Sequence, residues 1–195
     1  MSRRKFFIDT DAGTDDAVAL IMALRYANVD VIGISAVCGN VGLNKVVQNI
    51  GYICELCSVT IPYYAGSARP LTQSFVSADF IHGKDGLGDI GLNLTGRDAV
   101  SEDAIGALLS AIQKYPGEVE LICLGPLTNI ARLISAAPAI LASLKKIVIM
   151  GGLVHLPGNV TPLAEFNIWA DPEAAAIVLA AIQEQNCSCS MIGWD

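Results

Sequence analysis

Four carboxylates fall within eight residues in Asp9-Thr10-Asp11-Ala12-Gly13-Thr14-Asp15-Asp16-Ala17. An apolar Phe6-Phe7-Ile8 stretch precedes them and a helical apolar stripe follows, so they sit on a tight strand-to-helix turn. Carboxylates held so close repel one another unless something cationic offsets them. The N-terminus of the following helix supplies only about half a positive charge. A hard divalent cation fits better, because calcium takes six to eight oxygen ligands in irregular geometry. A plainer alternative makes Asp15 a helix cap, Asp16 a partner of the helix dipole, and Asp9 and Asp11 turn residues. A phosphate-binding loop is disfavoured: the turn has one glycine, no lysine, and the wrong sign of charge for an anion.

Strand and helix patterns alternate around this turn. Asp16 to Ala27 carries a helical stripe, Val29 to Val37 is a β-branched run, Leu43 to Cys57 is helical, and Ile61 to Tyr64 is a short strand. Residues 66 to 100, rich in Gly, Ser, Thr and Asp, read as a long loop region, which inside a compact domain is usually functional. A helix over Ser101 to Tyr115 begins at a plausible Ser-Glu-Asp cap. Val119 to Leu124 and Ile147 to Met150 read as strands, with helices at Asn129 to Ser135 and Pro138 to Leu144 between them. A loop over Gly151 to Asn167 precedes a helix from Pro172 to Gln185, and Met191 to Asp195 begins another strand. This alternation predicts a single α/β domain over residues 1–195, a mostly parallel Rossmann-like sheet with helices on both faces. In such sheets ligands bind beyond the carboxyl ends of the strands, where the polar motifs fall.

Composition agrees. Of the 195 residues, 53% are hydrophobic and only 16% charged, as a sheet buried on both faces requires. The net charge of -7 disfavours DNA or RNA as a partner. No apolar run approaches a membrane span, and Asp9 interrupts the apolar stretch behind Arg3-Arg4-Lys5, so a soluble cytoplasmic protein is expected. Among six cysteines, Cys54 with Cys57 and Cys187 with Cys189 could form a thiolate zinc site. Burial as small reduced hydrophobes is the stronger reading, since Cys54 and Cys57 lie in a helical pattern without turn residues. Cys38, Cys123 and Trp169 are expected in the core, and His155 as a structural or rim residue.

Further polar segments follow the strands in order: Val37-Cys38-Gly39-Asn40, Ile81-His82-Gly83-Lys84-Asp85-Gly86-Leu87-Gly88, Gly125-Pro126-Leu127-Thr128-Asn129-Ile130-Ala131, Met150-Gly151-Gly152, and Asn159 through Ala164-Glu165-Phe166-Asn167. Read singly, Asn40, Thr128 and Asn129 could satisfy turn or helix-end backbone, and Glu165 and Asn167 could be loop polars. With the acidic turn, the ordered set resembles the inosine-uridine-preferring nucleoside hydrolase family. The resemblance implies hydrolysis of the N-glycosidic bond of ribonucleosides by a calcium-activated water, in purine and pyrimidine salvage. It implies Asp11, Asp16 and the main-chain oxygen of Thr128 as calcium ligands, with Asp11 also accepting the proton of the attacking water. Asp15 and Asn167 would hold the ribose 2′- and 3′-hydroxyls, and Asn159 and Glu165 the 5′-hydroxyl. Asn40 would fix sugar and water, His82 would lie near the base, and Met150 and Phe166 would line the pocket. A homo-oligomer, dimer or tetramer, is expected.

The family pattern also implies a later His-Asp pair, the aspartate completing the calcium shell and the histidine lying by the leaving base. His82 and His155 are the only histidines here, and both fall in segments already matched. The chain is therefore expected to lack the family's C-terminal part. The alternative to a hydrolase is a truncated, catalytically impaired homologue that binds calcium, ribose or a partner subunit.

Overall fold

The computed structural model describes residues 3–195. Its elements run β1 (Arg4–Thr10), α1 (Thr14–Arg25), β2 (Val29–Ala36), α2 (Leu43–Leu56), β3 (Tyr63–Ala65), α3 (Asp79–His82), α4 (Ala104–Lys114), β4 (Val119–Cys123), α5 (Thr128–Ala136), a 3-10 turn (Ile140–Ser143), β5 (Lys146–Met150), α6 (Phe166–Ala170), α7 (Pro172–Glu184) and β6 (Cys189–Ile192). The six strands form one sheet in the order β3-β2-β1-β4-β5-β6, and every pairing is parallel. The chain thus winds outward from β1 through β2 to β3, then returns to β4 and winds the other way. That reversal opens a crevice beyond the carboxyl ends of β1 and β4. Register aligns Asp9 with Ser35 on one side and with Cys123 on the other, so the turns after β1, β2 and β4 meet there.

Alternation along the strands divides the core. Phe7, Leu121, Cys123, Ile147 and Ile149 pack with Leu108 and Ile112 of α4, Ile130 and Leu133 of α5, and Val178 of α7. On the opposite face Ile8, Val31 and Ile34 meet Leu20 of α1 and Val46, Ile50 and Ile53 of α2. These helices serve β1 to β3; beyond them Ile122, Leu124, Val148 and Met150 are only half-buried. The expected fold is therefore present, with the second face covered over part of its width.

Local expectations hold where the chain carries its own signals. Asp103 caps α4 by accepting from the Gly106 N–H at 2.8 Å, and Asp171 caps α7 by accepting from Ala174 N–H at 3.1 Å, with Pro172 in the first turn. Residues 66 to 100 hold only the single helical turn α3 and the short strand-like contact of Tyr64 with Ser101 beside them. Three expectations need correction. The helix expected over Pro138 to Leu144 is a single 3-10 turn, because Pro138 disfavours helical geometry at Ala137 and too few residues remain to nucleate a helix. The last strand begins at Cys189 rather than Met191, paired to Ile147. Trp169 is half-buried rather than in the core.

All six cysteines are free, and Cys38, Cys54, Cys57 and Cys123 are buried. Cys54 and Cys57 lie in and just after α2, which covers β2 and β3, whereas Cys189 lies on β6 at the far edge of the sheet, so the two pairs cannot share a metal. Among the described residues no helix is long and apolar enough to cross a membrane.

Glu120 of β4 is a buried anion that ties the sheet's starting edge together. It accepts from Arg4 Nε at 2.9 Å, pairs again with Arg4 Nη2, and accepts from Lys145 Nζ at 2.9 Å. The Arg4 hydrogen bond, with that of Lys145, holds its carboxyl down at about 2. A folded-state value below the unfolded one adds stability above the unfolded pKa, and that stability is lost as pH falls toward the folded value. Glu120→Gln should cost about 1–2 kcal/mol at pH 7, modest because Arg4 and Lys145 are half-exposed. Urea midpoints should converge for the two proteins as pH falls from about 4.5 toward 2; a constant difference would contradict the assignment.

Candidate active site

The acidic turn is built by its own short side chains. Thr10 Oγ1 donates to Asp16 Oδ1 at 2.8 Å and accepts from Ala12 N–H at 3.0 Å. Asp16 Oδ2 accepts from Gly13 N–H at 2.9 Å and from Asn40 Nδ2 at 3.1 Å, so Asp16 closes the first turn of α1. Asp15 is exposed and makes no cap; the cap position is Gly13. Ala12 has φ +41°, an uncommon conformation for a residue with a Cβ, which folds Asp11 inward.

Asp11 is fully buried. Its Oδ2 accepts from Asn40 N–H at 2.7 Å, and its Oδ1 has no partner. The approach depends on Gly39, where a Cβ would stand 2.0 Å from Asp11 Oδ2. Burial, then the neighbouring Asp16, raises the Asp11 pKa well above the ordinary carboxylate range. Burial, then Asp15, raises Asp16 to about 7. An unpartnered buried oxygen beside a second buried carboxylate is the environment a hard cation relieves, and the available donors are all oxygens. Among the described residues, however, no group of three or more His, Cys, Asp or Glu side chains converges as a metal site. The donors fit a divalent cation in kind and supply part of a shell.

Behind this turn lies a second buried carboxylate network that the sequence reading left without a role. Asp9 Oδ1 accepts from Ser35 Oγ and from Asn129 Nδ2, the latter at 2.8 Å. Asn129 Nδ2 also donates to Ala36 O at 3.0 Å, and its Oδ1 accepts from Ser67 N–H at 2.9 Å. One asparagine in the first turn of α5 thus joins the ends of β1 and β2 and the start of the long loop. Asp9 Oδ2 has no partner, and burial lifts the Asp9 pKa to about 7 despite these hydrogen bonds.

In front of the turn is a cavity of about 300 Å³, bounded by Asp15, Asp16 and Asn40 on one side and Met150, Glu165, Phe166 and Asn167 on the other. His82, Asn159, Leu124 and Trp194 also line it, with Phe80 and Ile81 of α3. Asn167 Nδ2 donates to Leu124 O at 2.7 Å and Met150 O at 3.1 Å, anchoring α6 to the ends of β4 and β5. Glu165 caps α6, accepting from Asn167 N–H at 2.8 Å and Ile168 N–H at 3.2 Å, and holds Gly152 N–H at 2.9 Å. Asn159 Oδ1 accepts from Phe166 N–H at 2.9 Å. His82 Nδ1 lies 3.2 Å from Thr14 N–H and 2.9 Å from Thr14 Oγ1. A backbone N–H can only donate, so Nδ1 is the acceptor and Nε2 carries the proton of the neutral ring.

The cavity therefore gathers Asp15, Asp16, Asn40, His82, Met150, Asn159, Glu165, Phe166 and Asn167, all singled out from sequence. Two candidates stand apart. Asp11 lies behind the wall, reached through Asn40. Thr128 does not line the cavity: it opens α5, and its hydroxyl donates to Asp171 Oδ2 at 2.6 Å. Leu124, just after β4, lines the cavity instead, and its main-chain oxygen accepts from Asn167 Nδ2. His155 is exposed and does not line the cavity. Trp194 was missed because it stands outside every motif.

Residues 6–195 match the family described as inosine-uridine preferring nucleoside hydrolase. The chain is 41% identical over 181 residues to a probable uridine nucleosidase 1 of Oryza sativa subsp. japonica, covering 92% of this chain and 56% of the relative. It is likewise 41% identical over 182 residues to the pyrimidine-specific ribonucleoside hydrolase RihB of Escherichia coli, covering 93% and 58%. A solved plant nucleoside hydrolase superposes with a TM-score of 0.91 at 34% identity, covering 98% of this chain and 60% of that one. A purine-preferring ribonucleoside hydrolase from Gardnerella vaginalis superposes at 0.90 with 34% identity. The chain belongs to this family, and it spans about three-fifths of the length of the relatives it matches.

Buried acids leave a pH signature. Asp9 and Asp16 retain protons in the folded state up to about pH 7 that the unfolded chain releases near 4. The folded state then binds more protons, so stability falls as pH rises through that window. With calcium chelated, the urea midpoint should drop between about pH 4 and 7. Asp9→Asn, which can still accept from Ser35 and Asn129, should flatten the slope; an unchanged slope would mean Asp9 is ionised throughout.

Proposed function

We propose that this member of the inosine-uridine preferring nucleoside hydrolase family cleaves the N-glycosidic bond of ribonucleosides, releasing ribose and free base. One observation carries the reading: the fully buried Asp11, its Oδ1 unpartnered and its Oδ2 held by Asn40 in the wall of a cavity lined by Asp15, Asp16, Asn159, Glu165 and Asn167. Cleavage of an N-ribosidic bond passes through an oxocarbenium-like sugar, so hydrogen bonds to ribose can strengthen in the transition state. Asp15, exposed at the mouth, and Asn167, held with both amide hydrogens on main-chain carbonyls, accept from the ribose 2′- and 3′-hydroxyls. Asn159 and Glu165 serve the 5′-hydroxyl, and Asn40 orients sugar and water. Asp11 accepts the proton of the attacking water at Oδ1, the carboxylate oxygen left without a hydrogen-bond partner. His82 presents Nε2–H to the base, beside Met150 and Phe166.

Calcium is the proposed cofactor, with Asp11 and Asp16 as side-chain ligands and main-chain oxygen from the turn after β4, expected at Thr128 and favoured at Leu124 by its place on the cavity wall. When bound, it offsets the clustered negative charge and lowers the pKa of a bound water. A homo-oligomer is part of the proposal, supported by the exposed apolar Val18 and Met22 on α1 and Tyr26 just after it.

A second reading has its own support. The acidic turn brings two buried carboxylates, Asp11 and Asp16, together beside the cavity, which also suits a catalytically impaired homologue that binds calcium or a partner subunit. Calcium at a hundred-fold excess over its dissociation constant should stabilise the protein by about 2.7 kcal/mol, with no shift in Asp11→Ala. p-Nitrophenyl riboside, whose leaving group needs no proton, should be cleaved faster than inosine, and Asp11→Asn should lower the rate by about 10² to 10⁴. Calcium stabilisation without cleavage of any riboside favours the impaired homologue; no stabilisation defeats the cation site.

A further inference from the structure

Asn49 is fully buried on α2, outside every motif of the site, and faces it from behind. Its Nδ2 donates to Ala12 O at 3.1 Å and to Asp85 O at 3.0 Å. Both partners are carbonyl oxygens, so only the amide nitrogen can face them. Ala12 is the positive-φ residue between Asp11 and Gly13, whose geometry turns Asp11 inward. Asp85 is the hub of the loop after His82: its Oδ1 accepts from Leu87 N–H at 2.7 Å and Asp89 N–H at 3.1 Å, while Asp89 accepts in return from Asp85 N–H at 3.1 Å. Gly86 lets this loop reach α2, since a Cβ there would stand 2.8 Å from Asn49 Nδ2.

One amide therefore joins the acidic turn to the histidine loop. We propose that Asn49 is a positioning residue, which sets Asp11 and His82 relative to each other by holding Ala12 O and Asp85 O from behind. Neighbours on the same helix hold the far end of the loop. Gln48 exchanges two hydrogen bonds with the backbone of Arg97, and Glu55 takes Arg97 Nη2 at 2.6 Å. Asn49 is the member of this row that reaches the acidic turn. Its loss frees the turn and the loop to move independently, so His82 Nδ1 no longer meets Thr14 N–H at a fixed distance. The inference rests on the proposed active site for its functional meaning, but not for its test.

The test reads the side-chain nitrogens of the two histidines by NMR in the full 195-residue protein at pH 8, with His155→Gln to assign His82. His82 should show a single Nε2–H tautomer. In Asn49→Leu, which fills the same space without donors, that signature should collapse toward the averaged value of a free imidazole. Ile112→Val, a mild core lesion on the other face of the sheet, should leave it in place. Calorimetric titration with calcium alone should show affinity falling about tenfold or more in Asn49→Leu. If Asn49→Leu does not fold, Asn49→Ser makes the same comparison. An unmoved His82 signature in either variant, or an equal collapse in Ile112→Val, overturns the proposal. Absence of calcium binding or riboside cleavage in the unmodified protein counts against the proposed function instead, and leaves the His82 signature to decide the role of Asn49.

Discussion

Everything at the carboxyl edge of this sheet is arranged around buried carboxylates that cannot all be charged and unpaired. Asp9, Asp11 and Asp16 lie within eight residues with almost no solvent. An ion in such surroundings is tolerated only if hydrogen bonds or opposite charge replace its lost water. The fold supplies the first remedy unevenly. Asp16 receives three donors, Asp9 two on one oxygen, and Asp11 one, leaving an oxygen of Asp9 and an oxygen of Asp11 bare. The bare oxygens have different meanings. That of Asp9 belongs to a network tying three chain segments together, whereas that of Asp11 lies behind the cavity wall.

The topology explains how so many polar groups reach one place. Parallel strands send each following turn to the same edge, and the reversal between β1 and β4 leaves a gap there that no helix fills. Asn40 follows β2, Leu124 follows β4, and Met150 ends β5. Short-range capping then fixes each side chain locally: Asp16 and Glu165 each close the first turn of their own helix while facing the cavity. The plainer reading makes Asp15 the cap and Glu165 a loop polar; instead Asp16 and Glu165 each combine a helix-end role with a place on the cavity wall. A carboxylate that caps a helix has its rotamer already set and loses little freedom when a ligand arrives.

This double use shows what could be read from sequence and what could not. The parallel α/β fold was legible because strand and helix periodicities alternate without interruption and each polar cluster follows a strand. The start of α4, with its Ser101-Glu102-Asp103 cap, was legible for the same local reason. The helix over Pro138 to Leu144 was misjudged because its apolar spacing suits a helix while its length does not. The long-range partners of Asn49, Asn129 and Asp9 were out of reach for another reason. A buried amide that joins distant backbone carbonyls has no local signature, since its partners lie 37 and 36 residues away for Asn49 and 93 for the Ala36 carbonyl of Asn129. Leu124 was invisible because a main-chain oxygen is common to every residue type.

The cavity is also divided in rigidity, and the division bears on specificity. On the proposed reading, the inner part of its sugar side is buried and held in place, with Asn167 on two strand ends, Glu165 on three N–H groups and Asn40 on the Asp16 carboxylate, while Asp15 and Asn159 stand exposed at the mouth. Its other side is carried by the single helical turn α3, where Phe80 is 81% and Ile81 68% exposed, and by Trp194, 53% exposed. Side chains with few contacts can change with little effect on stability, and can move to follow a ligand. The invariant half of a nucleoside is its ribose, and the variable half is its base. On the proposed function, a well-held sugar side beside a loosely held apolar rim would separate two demands: the chemistry would keep one geometry, while base preference would be left to residues the core does not constrain. Relatives named as uridine, pyrimidine-specific and purine-preferring enzymes all match this chain across the same core, as expected if the distinction between bases is written on the rim.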